Sequence, residues 1–434
     1  MKWFVAACMV TSCTFAQAQN IIFVIGDGMG MEYLSAYRHF QDDPTTPELE
    51  ATWFDRHLQG SASTHPDDVN QVTDSAASAT ALAAGIKTYN GAIGVDLNKQ
   101  PVETLLERAK KKGYQTAMVV TSQINHATPA SFAAHIDSRN KYNEIADQYI
   151  DRRYQGKPWV DILFGGGQRY FLRDDRNLVT EFESLGYTYA DTYDGVAAIQ
   201  TPPALALLAD KGLPFRIDSD EPRRLAFLTE TALRLLDPQK PFFMLVEASQ
   251  IDWCGHANDI ACAMHEMRDT EETLKLLSRY VSEQPDTLVV VTADHSTGGL
   301  SMGSDGDYQW RADVVRGVKA SANVITQTLL TASDWYASWQ SLTSIQLDES
   351  EQAILAQARL KVLRSEAKTA KNNATTELRE QVLAAIDKAS VTGWTTSGHT
   401  GGDVAVMAMG VGAETFAGHK DNTDLAKMLF DRLP

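Results

Sequence analysis

The chain has 434 residues, 44% of them hydrophobic, enough to bury a large core as one big domain with insertions or as two domains. Its formal net charge is −17 and it has no basic run, which argues against duplex or single-stranded nucleic acid as the main partner. If its substrate is itself an anion, so acidic a protein has to concentrate positive charge in the site, as arginine or as metal.

At the N-terminus Lys2 precedes a short apolar run, and Ala16-Gln17-Ala18 has the small-x-small form of a cleavage site. Residues 1–18 therefore read as a secretory signal peptide and 19–434 as the mature chain, periplasmic or secreted. Val10-Thr11-Ser12-Cys13 also has the form of a lipoprotein signal, and only on that second reading does Cys13 attach the protein to a membrane. No later segment is long enough to span a bilayer.

The first strand-like run, "NIIFVIGDG" (Asn20 to Gly28), ends at Asp27. Next, "VTDSAASATALAAGIKT" (Val72 to Thr88) puts Asp74 and Ser75 at the head of an alanine-rich helix. Both residue types cap helices. The same place also favours a bound anion and a developing alkoxide, which makes Ser75 a candidate nucleophile. "VETLLERAKKKG" reads as a helix closed by Gly113. The second run, "TAMVVTSQINHATP" (Thr116 to Pro129), carries His126 and Thr128. "FGGGQRYF" (Phe164 to Phe171) is glycine-rich but lacks the Lys-Ser/Thr of a phosphate loop, so it reads as a tight turn.

The third run, "PFFMLVEASQID" (Pro241 to Asp252), supplies Glu247 and Asp252, with Trp253 and His256 just beyond. If that end is helical, the spacing of four puts Asp252 and His256 on one face, as two ligands of one ion or as an exposed ion pair of little worth. Cys254 and Cys262 are the cysteines outside the leader; an exported compartment permits a disulfide, and two buried thiols suit the sequence equally. The fourth run, "TLVVVTADHS" (Thr287 to Ser296), ends in Asp294-His295. Residues 303–390 are more polar and carry helix-period stretches. Ile354, Leu355, Ala358 and Val362 share one face, as do Leu378, Val382, Ala385 and Ile386, so this region reads as an inserted helical cap or dimer arm. Finally, "TTSGHTGGDV" supplies His399 just before the fifth run, "DVAVMAMG" (Asp403 to Gly410).

Continuous apolar runs indicate strands covered on both faces, as in a parallel sheet, and helical patterns lie between them. The sum predicts an α/β fold, a doubly wound, mostly parallel central sheet flanked by helices. Such folds bind ligands beyond the carboxyl ends of their strands. Asp27, Glu247, Asp252, His256, Asp294 and His295 all fall there, joined by His399. Each alone could hold a turn, cap a helix or sit on the surface. Gathered at one edge, they form the mixture of imidazole and carboxylate that suits zinc, with oxygen ligands to spare for magnesium.

"FVIGDGMG", "VTDSAASATALAAG", "NHATPASFAAHIDSR", "VEASQIDWCGHAND", "VTADHSTGGL" and "SGHTGGDV", in this order from Ile21 to about Met409, resemble the alkaline phosphatase family. Gly303 to Ser390 is the poorly matched part. The resemblance implies a homodimer that hydrolyses small phosphate monoesters at alkaline pH through a phosphoserine on Ser75, using two zinc ions and one magnesium per subunit. Carried over by position, Asp252, His256 and His399 would hold the first zinc, and Asp27, Asp294 and His295 the second, beside Ser75. Asp27 would also reach the magnesium, whose other protein ligands would be Thr128 and Glu247. Arg139, in "HIDSRN", would grip two phosphate oxygens as a fork, oriented by Asp74; without the resemblance it reads as a surface arginine.

Two positions depart from the best-studied bacterial pattern. His126 stands where that pattern has an acid near the magnesium, and Trp253 where it has a lysine that meets phosphate through water. Family members from marine and cold-adapted bacteria are similar at both places. Imidazole suits zinc better than magnesium, so the third site is expected to accept zinc as well. Trp253 removes a cation from the phosphate's surroundings and predicts weaker product binding, with simple packing of the indole as the alternative reading. Nothing in these motifs reads the alcohol, which implies broad specificity.

Rival readings are a phosphodiesterase, sulfatase or phosphomutase of the same superfamily, and a periplasmic metal-binding protein without catalysis. The sulfatase nucleophile motif is missing, and no device for retaining a phosphoryl group is visible.

Overall fold

Four of the apolar runs become the middle of one sheet. The computed structural model describes residues 19–433 other than Pro222, so the leader read in residues 1–18 lies outside the described residues. The sheet's strands are β1 (Asn20–Gly26), β2 (Leu58–Ser63), β3 (Gln115–Gln123), β4 (Ile162–Gly166), β5 (Thr188–Ala190), β6 (Ala204–Leu207), β7 (Phe242–Ala248), β8 (Thr287–Ala293), β9 (Val404–Gly410) and β10 (Gly418–Asp421). Their order is β10-β2-β9-β8-β1-β7-β3-β4-β6-β5. Helices cover both faces, which is why the central strands need no polar side. In β1, Ile21, Ile22, Phe23 and Ile25 are all fully buried, each contributing roughly 2 kcal/mol of hydrophobic stabilisation.

β8, β1, β7, β3, β4, β6 and β5 run parallel to their neighbours in that series. The fifth apolar run does not: β9 is antiparallel to both β8 and β2. An unbroken apolar run reports coverage on both faces and says nothing of direction. The reversal has a consequence for the site. An antiparallel strand enters the sheet at the edge where its neighbours leave, so His399, which precedes β9, reaches the edge that the others reach from behind.

The strands that the apolar pattern passed over are short or polar. β2 reads "LQGSAS" and β10 "GHKD", and β10 ends the sheet on one side. The segment "FGGGQRYF" is the end of β4 followed by a turn at Gly167 (φ 116°) and a short helix, Gln168–Phe171, so the expected tight turn is confined to one residue.

Register explains why distant acids meet. Gly26 pairs with Ala293 on one side and Ala248 on the other, so Asp27 and Asp294 emerge side by side; Glu247 lies opposite Ile25. The helices that matter to the site are α1 (Ser75–Ala84), α2 (Ala127–Ala133), α3 (Gln250–His256) and α4 (Ile260–Glu283). Cys254 and Cys262 form a disulfide that ties α3 to the start of α4.

Residues 303–390 fold mainly as helices: Ala312–Gly317, Ala322–Thr331, Trp335–Thr343, α5 (Glu349–Arg364) and α6 (Lys368–Ser390). Leu355, Ala358 and Val362 of α5 and Leu378, Val382, Ala385 and Ile386 of α6 are buried. Ile354 departs from its expected face and is 49% exposed. Below α6 the chain returns through Thr392–Trp394, paired with Leu300–Met302, and then His399–Thr400, paired with Ser296–Thr297. That second ribbon sets His399 beside His295.

Candidate active site

Asp74 has the capping role that its position suggested. Asp74 Oδ1 accepts from Ala77 N at 2.9 Å and so caps α1, while Gly85 closes it in the left-handed region. Ser75 to Ala83 are all buried, and the small side chains let α1 lie close against α2. Ser78 Oγ donates to the Asp294 carbonyl at 2.7 Å, fixing the helix to the end of β8. Ser75 Oγ lies 3.1 Å from His295 Nε2.

Three clusters of ligand atoms gather at the carboxyl edge: Asp252, His256 and His399; Asp27, Asp294 and His295; and Asp27, His126 and Glu247. Within each, the atoms lie within 4.8 Å of one another. Thr128 is buried beside the third cluster, its hydroxyl facing the Glu247 carboxylate with those of Ser249 and Ser122. His126, expected only nearby, thus belongs to the cluster itself.

The clusters are chemically incomplete as protein. His399 Nδ1 meets the Thr73 carbonyl at 2.8 Å and His256 Nδ1 meets the Ser397 carbonyl at 2.6 Å. A carbonyl only accepts, so each Nδ1 carries the proton and each Nε2 presents a lone pair. Those Nε2 atoms face each other at 3.1 Å, with Asp252 Oδ1 3.4 and 3.5 Å away. Lone pairs and a carboxylate aimed at one point call for a cation. Around the other clusters, both Asp27 oxygens, Asp294 Oδ2, Glu247 Oε1, Thr128 Oγ1 and His126 Nδ1 are buried without a hydrogen-bond partner. These residues fit divalent metal ions.

The electrostatics agree. Burial, then Asp294, Asp252 and Glu247, pushes the Asp27 carboxyl well above its ordinary range. Burial likewise raises Glu247 and Asp294. It lowers His126 to about 3, helped by Arg139 and His256, and drives His295 well below its usual value. Raised carboxyls and lowered imidazoles are what a charge-poor pocket enforces, and positive ions would reverse the first while keeping the second.

Arg139 is no free surface arginine. Its Nη1 donates to Asp74 Oδ2 at 3.0 Å, with side chains 20% and 22% exposed. Burial works against its charge, but Asp74 and then Asp27 outweigh that and raise its pKa. Trp253 packs edge-on against the His126 ring, centroids 5.8 Å apart, and over Gly212. It therefore serves as a wall for His126.

Sequence reasoning missed Thr297. Its hydroxyl donates to Asp252 Oδ1 at 2.5 Å and faces His295 Nδ1 at 3.3 Å, so one group buttresses members of two clusters. The Tyr33 hydroxyl in turn donates to the Thr297 carbonyl at 2.6 Å. No spacing in the sequence marks that hydroxyl. Gly28 is also required here: its φ is 74°, its N–H donates to Asp294 Oδ1, and a Cβ would stand 2.6 Å from the Asp252 Cα.

With this geometry in hand, likeness to known proteins becomes informative. Residues 18–433 match the family model described as alkaline phosphatase. Alkaline phosphatase 3 of Bacillus subtilis is 43% identical over 425 residues, which are 96% of this chain and 89% of the relative. The crystal structure of a cold-active alkaline phosphatase from a psychrophilic Shewanella is also 43% identical, with a TM-score of 0.89, covering 96% of this chain and all of that one (100%). A histidine-to-aspartate variant of the TAB5 alkaline phosphatase, solved with magnesium bound, is 25% identical with a TM-score of 0.69, covering 96% of this chain and 99% of that one. The chain belongs to the alkaline phosphatase family, and it is a phosphatase.

Proposed function

We propose that this protein hydrolyses small phosphate monoesters at alkaline pH through a phosphoserine on Ser75, in the periplasm or outside the cell and as a homodimer, after removal of residues 1–18. The observation that carries the catalytic part is the convergence of Asp252 Oδ1 and the Nε2 lone pairs of His256 and His399 beside a second cluster whose His295 Nε2 lies 3.1 Å from Ser75 Oγ. Asp252, His256 and His399 would hold one zinc; Asp27, Asp294 and His295 would hold another. Asp27, Thr128 and Glu247 would hold magnesium, or zinc where His126 joins them. Bound there, divalent cations supply Lewis acidity, easing ionisation of a hydroxyl or water and neutralising charge on phosphate oxygens.

The chain's own residues then divide the work. The N-terminus of α1 and the Arg139 guanidinium hold the non-reacting phosphate oxygens, and Asp74 holds Arg139 in place. Ser75 Oγ releases its proton to solvent and attacks phosphorus; the Oγ–P bond forms as the ester P–O bond breaks, and the alcohol leaves with a proton from solvent. Water then attacks the phosphoserine, the Oγ–P bond breaks, Ser75 regains its proton and inorganic phosphate departs. The inserted region, residues 303–390, acts as a cap or dimer arm whose base carries the loop to His399.

Replacing Ser75 by alanine tests the reading. Turnover of p-nitrophenyl phosphate should fall by about three orders of magnitude or more while bound metal persists. Retained activity would refute the covalent route, and greater activity on a phosphodiester than on the monoester would favour the diesterase alternative.

A further inference from the structure

Asn90 sits in the turn after α1 and folds back on the segment that enters the helix. Its Oδ1 accepts from the Asp74 N–H at 2.8 Å, and its Nδ2 donates to the Val72 carbonyl at 3.0 Å. The two ends of one amide thus grip the residues on either side of Thr73. The carbonyl of Thr73 is the acceptor for His399 Nδ1. Asn90 is itself anchored, its N–H donating to Asp68 Oδ2 at 2.9 Å. The next residue, Gly91, donates to Asp74 Oδ1 at 3.1 Å and accepts from the Arg139 N–H at 2.8 Å. With the Arg139–Asp74 ion pair this closes a ring from the nucleophile's cap to the arginine and back.

We propose that Asn90 is a positioning residue for the phosphatase reaction, its amide holding the 72–74 segment so that Ser75, Arg139 and His399 keep their mutual placement. The inference rests on the roles given to those three residues above. Asn fits for a chemical reason: a primary amide offers an acceptor and a donor on one short planar group, matching the N–H of Asp74 and the C=O of Val72. A carboxylate would meet the Val72 carbonyl with a second lone pair. If the Thr73 carbonyl drifts, the imidazole of His399 loses the partner that fixes its tautomer and ring orientation. If Asp74 drifts, Ser75 and Arg139 move with it.

The test uses the metal-loaded protein and its Asn90→Ala and Asn90→Asp variants. Four quantities are read: kcat and KM for p-nitrophenyl phosphate, inhibition by inorganic phosphate, the rate of zinc loss to a chelator, and Tm. Asn90→Ala is expected to lower kcat/KM about 10- to 100-fold, weaken phosphate inhibition about tenfold and speed zinc loss, the range seen when outer partners of a metal site are removed. Asn90→Asp should fall with it, and decides the matter if the alanine variant does not fold. Values of kcat/KM and phosphate inhibition within about twofold of the parent, or a lowered Tm with unchanged phosphate binding, would overturn the proposal. The parent protein and Ser75→Ala are run alongside. If the parent is not inhibited by phosphate or Ser75→Ala turns over, the reading of the site itself has failed; if both behave, a null effect of the variants counts against Asn90 alone.

Discussion

Asp74 holds α1 with one oxygen and Arg139 with the other: Oδ1 accepts from Ala77 N at 2.9 Å and Oδ2 from Arg139 Nη1 at 3.0 Å. The helix that carries Ser75 and the guanidinium that would grip phosphate are therefore positioned by a single carboxylate. Removing each partner should have a different signature. Arg139→Ala is expected to weaken inhibition by inorganic phosphate and reduce kcat/KM by about 100-fold, because charge-assisted bonds to two phosphate oxygens are lost. Asp74→Ala should in addition destabilise the fold by about 1 kcal/mol through the lost cap. Phosphate titration and thermal unfolding of both variants separate these effects.

Thr297 links two clusters through one hydroxyl. Thr297→Val removes the donor to Asp252 and the acceptor for His295 with little change of shape. Expected is a loss of zinc affinity of about 10- to 100-fold, measured by competition with a chelator, while Thr297→Ser retains most of it. Equal zinc retention in both variants would assign the threonine to packing alone.

His126 replaces an acid that the family's best-studied bacterial members carry, and the structure puts it in a cluster with Asp27 and Glu247. Imidazole prefers zinc and carboxylate prefers magnesium. His126→Asp should shift metal content from zinc toward magnesium, read by elemental analysis after dialysis against both ions.

At the base of the inserted helices, burial raises the Asp387 carboxyl to about 8, although the Trp394 Nε1–H donates to it at 3.2 Å. The folded pKa lies above that of the unfolded chain, so the native state holds the proton more tightly. Stability from this group is therefore present at low pH and declines between about pH 4 and pH 8. Asp387→Asn keeps an acceptor for Trp394 and cannot ionise. Its advantage should grow across that window and level off above it, read as a Tm gain that is largest at pH 9 and small at pH 4. Because Trp394 leads directly into the loop ending at His399, thermal unfolding is best followed with metal bound.

Much of this molecule was legible from residue pattern. Unbroken apolar runs located the central strands, and the polar residues that end them come together in clusters, because a doubly wound sheet delivers its strand ends to one edge. What stayed hidden has physical reasons. β2 and β10 are polar strands with few apolar side chains, so no hydrophobic pattern marks them. The direction of β9 is set by its neighbours, and its composition matches that of a parallel strand. Ile354 follows the helical period yet faces outward, since period fixes a stripe and tertiary packing decides which stripe is covered. Thr297 and Asn90 act through other residues, and a lone hydroxyl or amide carries no spacing signature.

On this reading the carboxylates and imidazoles of the strand ends hold cations that turn Ser75 into a phosphoryl acceptor. Mixing metal-loaded protein with a phosphate monoester, quenching in acid and weighing the peptide that contains Ser75 tests it most directly. One added phosphoryl group is expected on Ser75, absent after chelation and regained with zinc. An unmodified Ser75 at every quench time, with full turnover, would contradict it.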